Sequence, residues 1–215
     1  MDVLIDERDL FLKAFWETIQ LLGISAVVAT VIGTLLAAMR VAPVPVMNAI
    51  GTSYVNLVRN TPLVVMFLLV VFGLPELDIQ FSYFVKANIA LSVYTAAFVC
   101  EAVRSGINTV AAGQAEAARS VGMTFTQTLG TVVLPQAFRA VVPPLTSVYI
   151  ALAKNTSVAA GFGVTELTAE LSAQLNNHPA AGIWLFVGVG LAYVLIVAVL
   201  STGSHLLERR WAVAR

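Results

Sequence analysis

The chain of 215 residues is poor in almost everything that reactive chemistry draws on. It has one cysteine, Cys100, and two histidines, His178 and His205. No disulfide framework and no His/Cys metal cage can be built from that set, and no metal site is expected. Charged residues make up only 11%, with 12 Lys+Arg against 12 Asp+Glu, so no basic tract or positive field points to nucleic acid. No Gly-x-x-x-x-Gly-Lys-[Ser/Thr] loop occurs, so ATP chemistry is not expected of this chain. No catalytic residue is assigned. A nucleophile and base held on separate spans would be needed for an intramembrane hydrolase, and His205 is the only histidine inside an apolar stretch.

Abundance lies elsewhere: 59% of the residues are hydrophobic, against 45–50% in soluble domains. The partner implied is the lipid bilayer. Asp2, Asp6, Glu7 and Asp9 beside Arg8 and Lys13 are the wrong charge for a signal-peptide n-region, so the first apolar stretch is expected to be retained.

A crossing helix takes about 20 apolar residues. The pattern predicts an all-α integral membrane protein of one domain, with five spans at about 14–40, 57–77, 84–103, 139–160 and 182–207 and a connection at about 104–138. Segment 44–58 reads either as an interfacial helix or as the first half of a long second span kinked at Pro62. Pro143-Pro144 is read as the entry to the fourth span. With the C-terminus inside, Arg40, Arg59, Arg104, Arg119, Arg139, Arg209, Arg210 and Arg215 lie inside against Arg8, Lys13 and Lys86 outside, which places the N-terminus outside. Glu76, Asp78, Glu166 and Glu170 then populate the outer loops. Trp16, Trp184 and Trp211 fall near span ends, as interfacial anchors do.

The connection carries a helix-forming run, Gln114 to Val121, in which Ala118, Val121 and Phe125 share one face at i, i+3 and i+7. Gly122 leaves room for another backbone to approach. From pattern alone this is either an amphipathic helix lying on lipid or a helix that docks on protein.

Glu116-Ala117-Ala118, three residues, Gly122, nine residues, Val132, one residue and Leu134-Pro135 resemble the EAA loop of bacterial ABC importer permeases, with Val where the pattern usually has Ile. Arg59-Asn60-Thr61-Pro62-Leu63, Glu101 with Arg104-Ser105-Gly106-Ile107, Gly113-Gln114, Leu134-Pro135-Gln136-Ala137, Lys154-Asn155-Thr156-Ser157 and Glu208-Arg209-Arg210 follow in the same order. Together they resemble the polar amino acid permease family of HisM/HisQ type, and within it the glutamate permease subunits of actinobacteria.

That resemblance implies the type I ABC importer permease fold with a cytoplasmic coupling helix. It implies a second permease subunit, with a heterodimer favoured over a homodimer, two ATPase subunits that hold ATP and Mg, an extracytoplasmic solute-binding protein, and a glutamate-like amino acid substrate. Glu116, Ala117, Ala118, Gly122, Phe125, Leu134 and Pro135 are the expected ATPase-coupling residues. A secondary transporter or channel subunit is the rival reading, because a polar break in a span also marks substrate sites in such proteins.

The expected path or gate residues are Arg59, Thr61, Glu101, Lys154, Asn155, Thr156 and Ser157. Irregular backbone at membrane depth is tolerated only where protein or a watery cavity covers it, which favours a lining role for 154–157 over a snorkelling Lys154. Glu101 reads either as a structural partner of Arg104 at i, i+3 or as a gating charge. Arg59 reads either as a positive-inside anchor or as a substrate or ATPase contact. Cys100 reads as a packing residue, His205 as interfacial and His178 as a loop residue.

Overall fold

A computed structural model describes the backbone of residues 2–211 and the side chains of residues 3–209. Arg215 and the side chains of Arg210 and Trp211 lie outside the described residues. The described residues form helices and short connections, with no strand among them.

After a single turn at Asp2–Asp6, helix α1 runs over Arg8–Val41. At 1.5 Å per residue its 34 residues exceed the roughly 30 Å of bilayer hydrocarbon. It stops where proline dictates: Ala42, before Pro43, is extended (ψ 143°), as a residue preceding proline is driven to be. Helix α2, Pro45–Arg59, starts with its proline at the first helical position, where the missing N–H costs nothing. Asn60-Thr61-Pro62 then breaks the chain, and helix α3, Leu63–Glu76, leaves at 104° to α2. Residues 57–77 are therefore not one continuous helix: α2 and α3 form a bent pair broken at residues 60–62. Inside α3 a π turn, Leu69–Gly73, disturbs the backbone pairing, and the Val71 carbonyl takes the Lys86 ammonium at 3.2 Å. Lys86 is accordingly buried rather than interfacial.

Helix α4, Tyr83–Asn108, begins at Ser82, whose hydroxyl accepts the Val85 N–H at 3.3 Å. It is the hub of the molecule. Ala87, Ala90, Ala96, Ala97, Cys100 and Ala102 are all buried, and these small residues let other helices approach closely. A Cβ on Gly33 of α1 would sit 2.7 Å from the Ala96 carbonyl oxygen, and one on Gly106 would sit 3.0 Å from the Val141 backbone nitrogen. Cys100 is a free, buried packing residue.

Helix α5, Ala112–Ser120, lies in the connecting loop, and a second π turn, Thr128–Val133, leads into helix α6, Leu134–Asn155. Since α4 runs on to Asn108 and α6 starts at Leu134, the loop is shorter than 104–138. Pro143-Pro144 sits inside α6 and does not open it. A 3-10 turn at Thr156–Phe162, helix α7 at Leu167–Asn177 and helix α8 at Gly182–Trp211 complete the chain.

Three helical stretches, Arg8–Val41, Tyr83–Asn108 and Pro179–Arg209, are long and apolar enough to cross a membrane, and the bent α2–α3 pair makes a fourth. The fifth expected span rests on α6, whose 22 residues reach about 33 Å but carry Arg139, three prolines and Lys154. Trp16 and Trp184 are well exposed, as anchors in lipid would be.

Candidate functional site

At the loop end of the molecule, α5 closes with a Schellman cap. The Met123 N–H donates to the Ala118 carbonyl at 3.2 Å and the Gly122 N–H to that of Arg119 at 3.0 Å. That cap requires a left-handed residue, and Gly122 supplies it at φ +89°. No atom of this chain lies within 4 Å of a Cβ built there, so within the subunit glycine serves the backbone turn and not a close approach. The cap also corrects the expected single helix through Phe125. Thr124 opens a new turn, with its hydroxyl accepting the Gln127 N–H at 3.3 Å while the Gln127 side chain accepts the Thr124 N–H at 2.9 Å.

Ala118 faces inward, where α5 packs on the Thr128–Val133 turn. Val121 and Phe125 are 79% and 74% exposed. Glu116, Ala117, Leu134 and Pro135 are exposed as well. A short polar helix thus displays two large apolar side chains beside its C-terminal cap.

Just inward of the loop, Glu101 collects three arginines. The Arg40 guanidinium donates to one carboxylate oxygen, Arg59 lies 3.8 Å from the same oxygen, and Arg104 donates to the other at 3.2 Å. Only the Arg104 contact was legible from spacing. Arg40 and Arg59 come from the far ends of α1 and α2, each just before a proline-induced break. The carboxylate therefore ties α1, α2 and α4 together and leaves an excess of two positive charges. Arg59 remains 47% exposed and rests over the Phe98 ring at 5.6 Å from its centroid.

Phe98 also lines a groove of about 400 Å³ between α4 and α6, along with Tyr94, Thr95, Ser147, Ala151 and Asn155. Of the expected path residues, Asn155 lines this groove, and Arg59 meets only its Phe98 wall. Lys154 is exposed at the end of α6. The other hydroxyls are spent locally: Thr61 donates to the Leu57 carbonyl at 2.8 Å, Thr156 to that of Ala153 at 2.8 Å and Ser157 to that of Lys154 at 2.7 Å. Thr156 is wholly buried in the subunit's own core. Tyr94, Phe98 and Ser147 were missed because nothing in a sequence pattern marks which side of an apolar span faces a groove.

The opposite end is closed by its own hydrogen bonds. Glu166, expected as a surface acid, is fully buried as the N-cap of α7. Its carboxylate accepts the Thr168 and Ala169 N–H groups at 2.8 and 3.0 Å and the Tyr193 hydroxyl at 2.6 Å. Burial pushes the Glu166 carboxyl above the ordinary range, partly countered by these donors. Thr18 accepts the Leu167 N–H at 3.2 Å, and Thr165 donates to Glu17 at 2.8 Å. His205 lies 3.7 Å from Glu208, and no group of three metal-ligating side chains is found among the described residues.

Several apolar helices, a closed end and an end that displays apolar side chains on a helical loop define a multi-pass membrane subunit of the permease class. The family model described as binding-protein-dependent transport system inner membrane component matches residues 29–213, and the chain belongs to that family. It is 39% identical to the glutamate transport system permease protein GluC of Corynebacterium efficiens, over 95% of both chains. It is 34% identical to the probable glutamine ABC transporter permease protein GlnM of Bacillus subtilis, over 98% of this chain and 97% of that one. The crystal structure of an amino acid ABC transporter with histidines superposes with a TM-score of 0.88 at 26% identity, over 96% of both chains. The inward-facing MetNI methionine ABC transporter shares the fold at a TM-score of 0.77 and 20% identity, over 97% of this chain and 99% of that one. The fold is that of a type I ABC importer permease.

Proposed function

We propose that this permease subunit forms half of the translocation path of an ATP-driven importer for glutamate or a closely related polar amino acid. The observation that carries the coupling half of this reading is the exposure of Val121 and Phe125 beside the Gly122 cap. Two large apolar side chains held in solvent by a rigid turn suit insertion into a protein groove. The occupant is an ATPase subunit, which holds ATP and Mg. The loop end and the C-terminus are cytoplasmic and the N-terminus is outside, following the arginine bias. A second permease subunit, preferably a related and not identical chain, covers the groove between α4 and α6, and a solute-binding protein delivers substrate from outside.

Substrate selection for an acidic solute is supported by cations at both ends of that groove's neighbourhood. Arg59 stands over Phe98 and Lys154 stands exposed beside Asn155. A carboxylate leaving water needs such compensation, and exposed cations provide it without binding too tightly to release. The names of the GluC relatives favour glutamate. The test is uptake of labelled glutamate into proteoliposomes containing the assembled importer. Uptake that requires internal ATP is expected, and uptake of equal rate without ATP would assign the chain to a secondary carrier.

A further inference from the structure

A second groove, of about 880 Å³, lies apart from the one between α4 and α6, with the expected coupling residues Leu134 and Pro135 in its lining. It lies between α1, α4 and the start of α6, and its walls include Ala38, Val41, Val103, Ile107, Val133 and Leu145. At 100° per residue, Val103 and Ile107 point roughly 180° away from Tyr94 and Phe98 around α4, so this groove opens on the face opposite the path. Its walls are almost wholly apolar, as suits contact with hydrocarbon and not with a polar solute.

One charged side chain lines it, Arg139, in the second turn of α6. Arg40, Arg59 and Arg104 share Glu101, but among the described residues no carboxylate lies within ion-pair distance of Arg139. Arg139 is exposed. An apolar cleft between spans with an uncompensated guanidinium at its rim is complementary to one kind of molecule, with a long apolar tail and an anionic head. Guanidinium matches a phosphate with two parallel hydrogen bonds, and basic clefts between helices on the cytoplasmic side are where anionic headgroups lodge.

We infer that the α1–α4–α6 groove holds an acyl chain of an anionic phospholipid whose headgroup phosphate is bound by Arg139. Because the groove's floor includes Val133 of the turn on which α5 packs, the lipid also supports the loop from the membrane side.

The test uses the assembled importer in nanodiscs of phosphatidylglycerol and phosphatidylcholine with matched acyl chains. A photo-crosslinking residue replaces Ile107 in the groove, or Leu195 on the exposed side of α8 as a reference, and mass spectrometry counts the lipid adducts. At position 107 phosphatidylglycerol adducts are expected about fivefold above their mole ratio, the worth of one basic contact, and at 195 at the mole ratio. Arg139→Gln brings position 107 down to the mole ratio, whereas Arg139→Lys retains most of the enrichment. Co-purification of the partner subunits shows that each variant is assembled. Equal enrichment at 107 and 195, enrichment that survives Arg139→Gln, or adducts to a protein subunit would each overturn the inference, the last in favour of a subunit interface.

Discussion

The two ends of this subunit solve the same problem in opposite ways. At the α7 end, polar groups released by the break after α6 are satisfied inside the chain: Glu166 caps α7 and takes the Tyr193 hydroxyl, and Thr18 takes the Leu167 N–H. At the α5 end, a Schellman cap closes the helix C-terminus, but Val121 and Phe125 are left in solvent and three arginines outnumber their one carboxylate. Since both ends carry local caps, the difference lies in what each leaves facing outward. One end is finished by its own sequence, and the other, on the function proposed above, by a partner that binds it.

The sharpest way to break this contrast is to remove the carboxylate on which the loop end is hung. Glu101→Ala leaves the nearly buried Arg40 guanidinium without its partner, a loss of about 3 kcal/mol, toward the low end for breaking buried pairs because Glu101 itself is partly exposed. Transport is expected to be abolished, and the thermal midpoint of the assembled importer to fall by several degrees. Wild-type stability in this variant would mean that the arginine cluster is ornamental.

A smaller effect is expected from the closed end. Glu166→Ala removes a helix cap and one partner of the Tyr193 hydroxyl, which keeps Thr168 at 3.1 Å, costing about 2 kcal/mol. The sign with pH is specific. Burial raises the carboxyl's pKa in the folded state, so the native protein binds the proton more readily than the unfolded chain, and stability falls as pH rises from the ordinary carboxyl range through the raised value. As pH rises from the ordinary carboxyl range, the wild type should lose more stability than Glu166→Gln, which cannot ionise. Parallel melting curves would show that Glu166 does not titrate in a buried site.

The mildest intervention touches neither scaffold. Lys154→Met keeps most of the stem but removes the charge, and Lys154 is exposed, so assembly should be unaffected. Glutamate uptake should drop severalfold while uptake of a neutral amino acid, if any, is spared. Unchanged uptake and selectivity would leave Lys154 as an interfacial anchor.

What the sequence made legible follows from local rules. Proline positions marked the end of α1 and the start of α2, apolar runs marked α1, α4 and α8, and the spacing from Glu116 to Pro135 carried the family resemblance. What it hid depends on long-range contact. Arg40 and Arg59 meet Glu101 across dozens of residues, and Glu166 reads as a loop acid until Tyr193 of α8 is brought against it. The second span misled because Thr61-Pro62 is both a helix entry and a break, and only the 104° turn distinguishes them. Gly122 was legible as important, but its local reason, a left-handed cap, belongs to backbone geometry that residue spacing does not report.

On the proposed function, an ATPase subunit completes the loop end. Val121→Asp combined with Phe125→Asp tests it most directly, because both side chains are exposed and their replacement costs the isolated subunit little. The measurement is ATPase co-purification with the permease from membranes, together with substrate-stimulated ATP hydrolysis of whatever assembles. The double variant is predicted to insert normally and to lose both the bound ATPase and the stimulated hydrolysis. A stoichiometric ATPase with normal stimulation would contradict the account.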